Sequence, residues 1–323
     1  MKYHIVKVSS SGLGDAIKSA LVGAIYAKLS DRTLVIDWRG SRYSKNNENV
    51  FYSLFSLSGL PYLETIPLSS NDVNPITWKD RIDSSLDQVY AQDGWKTWDR
   101  NSVIRTYSAN LAHLDHSESV TVNWDFDQAA KLLCHFPELE SVSDLFRYAA
   151  QHFLNFNSSI VERVNKILDT LPKQYMAVHI RETREFTENK GYIARSRYLD
   201  LIKDEAKVIG SPFYLASDNI DVQGTLKRLH SNIVVQKKWF AAAGEALHIS
   251  DACPDQTENA RQALIDIAML ANSNILICNN QSCFALVAQY FSPHDNQRVR
   301  DVSQIQDHFI KRLWLKVSSA FQN

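Results

Sequence analysis

No stretch of this 323-residue chain approaches the roughly 20 consecutive apolar residues that span a bilayer. The opening Met1-Lys2-Tyr3-His4 runs straight into a strand-like segment and lacks the apolar core and small-residue cleavage site of a secretory leader. Its four cysteines, Cys134, Cys253, Cys278 and Cys283, form no CxxC pair and no metal-ligand spacing. That pattern suits a reducing compartment, and a cytoplasmic location is the expectation. A basic excess is missing too: 35 Lys and Arg stand against 36 Asp and Glu, for a net charge of -1. Nucleic acid is therefore not an expected partner, although a few local arginines can still hold a diphosphate. Internal repeats, low-complexity runs and long linkers are also absent. Nothing in the sequence sets an oligomeric state. What is present is globular: 45% hydrophobic and 22% charged residues, in a chain long enough for two domains.

The first forty residues predict a βαβ unit. Tyr3 to Val8 is β-rich, Ser9 to Gly14 is a small-residue loop, and Ile17, Leu21, Ala24, Ile25 and Leu29 recur at helical spacing. Thr33 to Ile36 is a short buried strand ending at Asp37-Trp38-Arg39-Gly40. Residues 41–140 are turn-rich and aromatic, and five of the seven tryptophans (Trp38, Trp78, Trp95, Trp98, Trp124) precede position 125.

A second regular block begins near Ser143. Asn157 caps a predicted helix with Ile160, Val161, Val164, Ile167 and Leu168 on its inner face. Strands at 175–180, 213–216, 232–235 and 275–278 then alternate with helices at 195–209, 258–272 and 282–290, a doubly wound α/β pattern. A last helix is expected over roughly Gln306 to Phe321. The expected division is 1–155, 156–305 and a C-terminal helical segment 306–323. Two α/β sheets facing each other put their strand C-terminal ends around one cleft, and ligands of open parallel sheets bind at such ends.

Motifs fall there. Gly12-Leu13-Gly14-Asp15 links the first strand to the first helix, where glycines let backbone approach a ligand and helix N–H groups face an anion. It lacks the third glycine and the lysine of the common phosphate fingerprints, and a tight turn capped by Asp15 reads equally well. Val178-His179-Ile180-Arg181 ends a strand, with Arg181 able to fork onto phosphate and His179 on the same side. A strand-end ion pair of Arg181 with Glu182 or Glu185, and a satisfied core histidine, are the plainer alternatives. Asp218 in Ser217-Asp218-Asn219 suits a ribose or a helix cap. Asp266 lies within an apolar helix, where a carboxylate needs partners. Guanine offers it two adjacent N–H donors; a core partner is the other reading. In Asn280-Gln281-Ser282, amide, hydroxyl and helix N-terminus converge, as phosphate binding or a simple N-cap requires. The early tryptophans suit sugar stacking or the core.

The order of these pieces resembles a known family. Gly12 to Asp15, followed by Arg32-Thr33-Leu34-Val35-Ile36-Asp37-Trp38-Arg39-Gly40-Ser41, is similar to the opening of the nodulation-factor α-1,6-fucosyltransferases, the NodZ-like family. Val178-His179-Ile180-Arg181 resembles the HxR element that this family shares with the eukaryotic core α-1,6-fucosyltransferases. Ala216-Ser217-Asp218, Gly244-Glu245-Ala246-Leu247-His248, Ala263-Leu264-Ile265-Asp266 and Ser282-Cys283-Phe284 continue the likeness, which is poorest over 41–140.

The resemblance implies a GT-B-like fold of two Rossmann-like domains facing a central cleft. It also implies GDP-fucose as donor, a glycan hydroxyl as acceptor, and inversion at the anomeric carbon without an essential metal. Residues 1–155 would form the acceptor side and 156–305 the nucleotide-sugar domain. Arg181 would hold the diphosphate, His179 and Asp266 would face guanosine, and Gln281 and Ser282 would bind phosphate. Gly12, Gly14, Asp218 and His248 join the expected donor site. Glu188 or Glu185 would be the base. One position departs: Glu182 stands where the family carries a second basic residue, and Arg184, Arg195 or Arg197 are the substitutes. Two other readings stay open, a heptosyltransferase-like enzyme with an ADP-linked donor and a non-catalytic nucleotide- or glycan-binding relative.

Overall fold

The computed structural model describes residues 1–8, 11–44, 46–67, 71–94, 106–123, 128–183, 186–188, 193–209, 212–242, 245, 247, 250, 252–294 and 297–304. The expected helix at 306–321, with Trp95, Trp98 and Trp124, lies outside them.

Strand β1 (Tyr3–Lys7) is central to the first sheet and pairs in parallel with β2 (Thr33–Asp37) on one side. On the other side it pairs with β6 (Val120–Asn123), whose sequence position is more than a hundred residues away. Short strands β4 (Tyr62–Leu63) and β5 (Val73–Asn74) complete the order β4-β2-β1-β6-β5. Between β1 and β2 runs helix α1 (Leu13–Leu29). Its apolar spacing predicts one buried face, yet even Lys18 and Ser19 are buried. The reason is position: α1 is packed on β1 and β2 on one side and on three further helices on the other. Three short helices, α2 (Phe51–Leu54), α3 (Leu86–Gln92) and α4 (Ala129–Leu133), fill the turn-rich region.

Helix α5 (Val142–Phe153) begins at Ser141, whose hydroxyl accepts the Asp144 N–H. Strand β7 (Leu154–Phe156) then pairs antiparallel with β3 (Phe55–Leu57). Helix α6 (Ser158–Leu168) is capped by Asn157 as expected, but Val161 is 41% exposed and belongs to its outer face. Buried Ile160 and Val164 set the inner line, and Val161 lies one residue off it.

The second sheet is also all parallel, ordered β10-β9-β8-β11-β12. Its strands are β8 (Met176–Ile180), β9 (Phe213–Ser217), β10 (Ile233–Val234), β11 (Ile275–Cys278) and β12 (Arg298–Asp301). Helices α7 (Arg195–Ile209), α8 (Ile220–Leu229), α9 (Gln256–Ala271) and α10 (Cys283–Tyr290) cover it. Among the described residues between β8 and α7 there is no further strand. The charged strand β12 has no apolar pattern and is legible only from its pairing with β11.

One apolar core joins both sheets. It runs from Val6 and Ile36 through α1 and α5 to Ala268, Leu276 and Val287. Smaller clusters cover the outer faces: Trp78, Leu86 and Tyr107 on the first sheet, Tyr198, Ile202 and Val222 on the second. Alternation in β1 splits the two sides, with Val6 facing the shared core and Ile5 the outer cluster. Trp38 and Trp78 are fully buried, so they are core residues and present no face to a sugar.

Candidate active site

Parallel sheets end their strands on one edge, and here the two edges meet at a cavity of about 320 Å³. From the first half it takes Gly12–Asp15 and Tyr43; from the second it takes the ends of β8 and β9, one face of α9, and the N-terminus of α10. Thr257 donates its hydroxyl to the Tyr43 carbonyl at 2.9 Å, tying the two walls together.

Gly14 sits where the two helix N-termini abut. A Cβ there would lie 2.9 Å from the Cys283 Cβ and 3.0 Å from its carbonyl carbon. The glycine is therefore required by helix-to-helix approach across the cleft. Gly12 occupies the N-cap of α1 with no side chain to cap it, and Asp15, in the first turn, is not the cap.

Arg181 follows β8 and enters the cavity, its guanidinium 5.3 Å from the Phe186 ring centre. Its Nε lies 3.8 Å from Asp218 and is buried without a hydrogen-bond partner. Asp218 in turn accepts the Glu182 N–H at 3.0 Å. Burial raises the Asp218 carboxyl above its ordinary value, and the nearby Arg181 works against that rise. The cap in this segment is the next residue, Asn219, which accepts the Asp221 N–H.

Glu182 is neutralised without touching the cavity. Arg195 grips both carboxylate oxygens, at 2.8 and 2.6 Å, in the forked geometry that arginine and carboxylate share. His179 is buried and stacked on Phe284 at 5.0 Å. Burial, then Arg181 and Lys238, lower its pKa to about 3, so the imidazole is neutral at ordinary pH.

Ser282 is the N-cap residue of α10, yet its side chain caps nothing. Its Oγ is buried, unpartnered and on the cavity wall. Gln281 beside it is exposed and also lines the cavity. A buried polar atom with no partner is costly, and Arg181 Nε and Ser282 Oγ share one space.

Asp266 has core partners. Its Oδ1 accepts the Tyr214 hydroxyl and the Gln236 amide, both at 2.6 Å, and its Oδ2 accepts Lys238 Nζ at 2.6 Å. Three of the four lone-pair positions of the carboxylate are thus taken. Lys238, with Phe240 5.2 Å below it, also lines the cavity.

Of the residues singled out in the sequence, Gly12, Gly14, His179 and Arg181 meet at this cavity with Asp218, Asp266, Gln281 and Ser282. Glu188 is exposed and is not part of the cavity wall. Arg184, Glu185 and His248 lie outside the described residues. Sequence reasoning missed Lys238, Tyr214, Tyr43 and Phe284. Lys238 follows the end of a predicted strand, which was the available signal.

Solved structures share this architecture. A NodZ α-1,6-fucosyltransferase soaked with GDP-fucose matches with a TM-score of 0.61 at 19% identity, covering 91% of this chain and 94% of the other. The fold is that of the fucosyltransferases. NodZ from Bradyrhizobium gives a TM-score of 0.61 at 18% identity, with 91% and 93% covered. POFUT1 in complex with GDP gives 0.55 at 15% identity, with 93% and 97% covered. No protein-family model and no curated protein sequence matches the chain. The GT-B-like arrangement, two parallel sheets with their strand ends at one cleft, is therefore common ground at low sequence identity.

Proposed function

We infer that this chain is a glycosyltransferase that moves fucose from GDP-fucose to a hydroxyl of a glycan, with inversion. One observation carries the reading. Arg181 Nε and Ser282 Oγ, two buried and unpartnered polar atoms, face one cavity at a strand end and a helix N-terminus, in the fold of GDP-binding fucosyltransferases. A diphosphate oxygen would complete both groups and meet the open N–H groups of α10.

In the reaction the acceptor oxygen bonds to the fucose anomeric carbon as the bond from that carbon to the β-phosphate oxygen breaks. Negative charge grows on the departing diphosphate, where Arg181 and the α10 N-terminus stabilise it. The acceptor proton passes to a carboxylate. Glu188 and Glu185, which follow β8 in the chain, are the candidates from sequence, and Asp15 joins them because it lines the opposite wall. Residues 156–305 would hold the donor and 1–155 the acceptor. Glu182, occupied by Arg195, is then no obstacle to a diphosphate. A cytoplasmic site of action belongs to the same reading, supported by a cysteine pattern with no CxxC pair and no metal-ligand spacing. No described helix is long and apolar enough to cross a membrane.

Calorimetric titration with GDP and ADP, followed by GDP release from GDP-fucose over an array of glycan acceptors, tests the reading. GDP is expected to bind and ADP to fail. Arg181→Ala is expected to abolish transfer while thermal unfolding stays within a few degrees of the parent. A fully active Arg181→Ala protein would falsify the role given to this residue.

A further inference from the structure

The transfer chemistry gives no task to Cys283, which opens α10 and lines the cavity beside Ser282, whose buried Oγ lacks a partner. Its polar neighbours come from the other half of the molecule. Lys18, buried on α1 with only 7% exposure, donates to Cys283 Sγ at 3.5 Å. Asp15 stands three residues before Lys18, a spacing that puts both on one face of the helix. Its carboxylate also lies within hydrogen-bonding reach of the thiol. Gly14 makes this approach possible, because any side chain there would run into Cys283. A helix N-terminus ordinarily pushes a cysteine toward the thiolate. Here burial first, and then the Asp15 carboxylate, push the Cys283 thiol up, with Lys18 opposing them. The group is therefore an S–H at ordinary pH, a donor toward a carboxylate and a soft acceptor toward an ammonium.

We propose that Cys283 is a positioning residue for proton transfer, its S–H donating to one oxygen of Asp15 and its sulfur accepting from Lys18. The other Asp15 oxygen is then aimed at the acceptor hydroxyl. This deepens the transferase reading and rests on it, with Asp15 as the base. The thiol keeps its proton throughout, and the acceptor proton goes to Asp15. Both ends of the displacement are thereby referred to one helix end. Ser282 meets the departing diphosphate, and the next residue orients the base on the facing wall. The base of the first half is thus set by the second, and a small misplacement between the halves reaches the chemistry directly.

Steady-state kinetics and GDP calorimetry on the intact protein, in a double-mutant cycle with Asp15→Asn, decide the matter. Cys283→Ala is expected to lower kcat by about tenfold while GDP affinity stays within about twofold of the parent. Cys283→Ser, which keeps a donor and an acceptor at this position, is expected to recover kcat to within about threefold of the parent. On the Asp15→Asn background, Cys283→Ala is expected to lower kcat by less than about twofold further, since the base it orients is gone. A fall below about threefold in Cys283→Ala overturns the proposal. So does a loss that persists in full on the Asp15→Asn background, which assigns Cys283 to packing between the halves. If Cys283→Ala fails to fold, Lys18→Met in the same cycle decides, with its loss of kcat likewise expected to vanish once Asp15 is Asn. A parent that neither binds GDP nor transfers fucose removes the transferase reading and this proposal with it. Transfer that survives Cys283→Ala removes the proposal alone.

Discussion

Arg181 and Asp15 stand on opposite walls of one cavity, and their chemistry differs in kind. An arginine at a strand end that lacks a full set of acceptors suits a diphosphate leaving group, whereas a carboxylate on the facing wall suits an attacking hydroxyl. General-base assistance contributes about 10²- to 10⁴-fold. Replacing Asp15 by Asn, which keeps size and removes basicity, is therefore expected to lower kcat by about a hundredfold or more with little change in GDP affinity. Glu188→Gln, on an exposed side chain away from the cavity wall, is expected to change kcat by less than about threefold. Steady-state kinetics on the two variants separates the candidates, and the reverse ranking would return the role to the segment after β8. At this scale the sequence is informative where a residue type is out of place. Asp266 in an apolar helix and Arg181 at a strand end both stand out by residue type and position alone. Lys238 does not, because its meaning comes from a partner 28 residues away.

At the scale of elements, the decisive contact is the abutment of α1 and α10. Gly14 permits it, and any side chain there meets the backbone and Cβ of Cys283 within about 3 Å. Gly14→Ala is expected to destabilise the protein by about 1–3 kcal/mol, the usual cost of overpacking a tight contact. It should also weaken GDP binding, since the α10 N-terminus is displaced. Urea unfolding and calorimetry on the same variant measure both effects, and a variant of unchanged stability would show that the contact is loose. Local elements were largely legible: α7 spans Arg195–Ile209 and β11 spans Ile275–Cys278, where spacing and length placed them. Strands β6 and β12 were not. Their sequences, Val-Thr-Val-Asn and Arg-Val-Arg-Asp, carry no run long enough to signal a strand, and pairing with β1 and β11 is what makes them one.

For the molecule as a whole, the shared core predicts that both sheets unfold together. Each sheet also contains one fully buried histidine. His4, bonded to Thr121 at 2.9 Å, and His179, stacked on Phe284, each have a pKa lowered to about 3 from 6.5, chiefly by burial. The unfolded chain binds protons at these positions below pH 6.5, while the folded protein does not until about pH 3. Stability therefore rises with pH across that window and is lost on acidification from pH 6.5 toward pH 3. At pH 5.5 each histidine costs about 1.4 kcal/mol relative to neutral pH. Urea unfolding at pH 7.5 and 5.5, followed by fluorescence and circular dichroism, is expected to show one coincident transition whose midpoint falls with pH. A midpoint that holds steady, or two separated transitions, would contradict this account.

What the sequence by itself determined is local: the βαβ opening, the later alternation of strands and helices, and the strand ends where polar residues interrupt apolar runs. These follow from period and composition, which act between near neighbours along the chain. Only the tertiary structure decided which distant groups meet. Arg195 on Glu182 and Lys238 on Asp266 are set by how helices and loops pack on the second sheet, and Gly14 against Cys283 by how the two halves meet. Burial then turns those meetings into chemistry, because a charge or hydroxyl removed from water must find a partner, and the ones left without a protein partner mark where a ligand belongs.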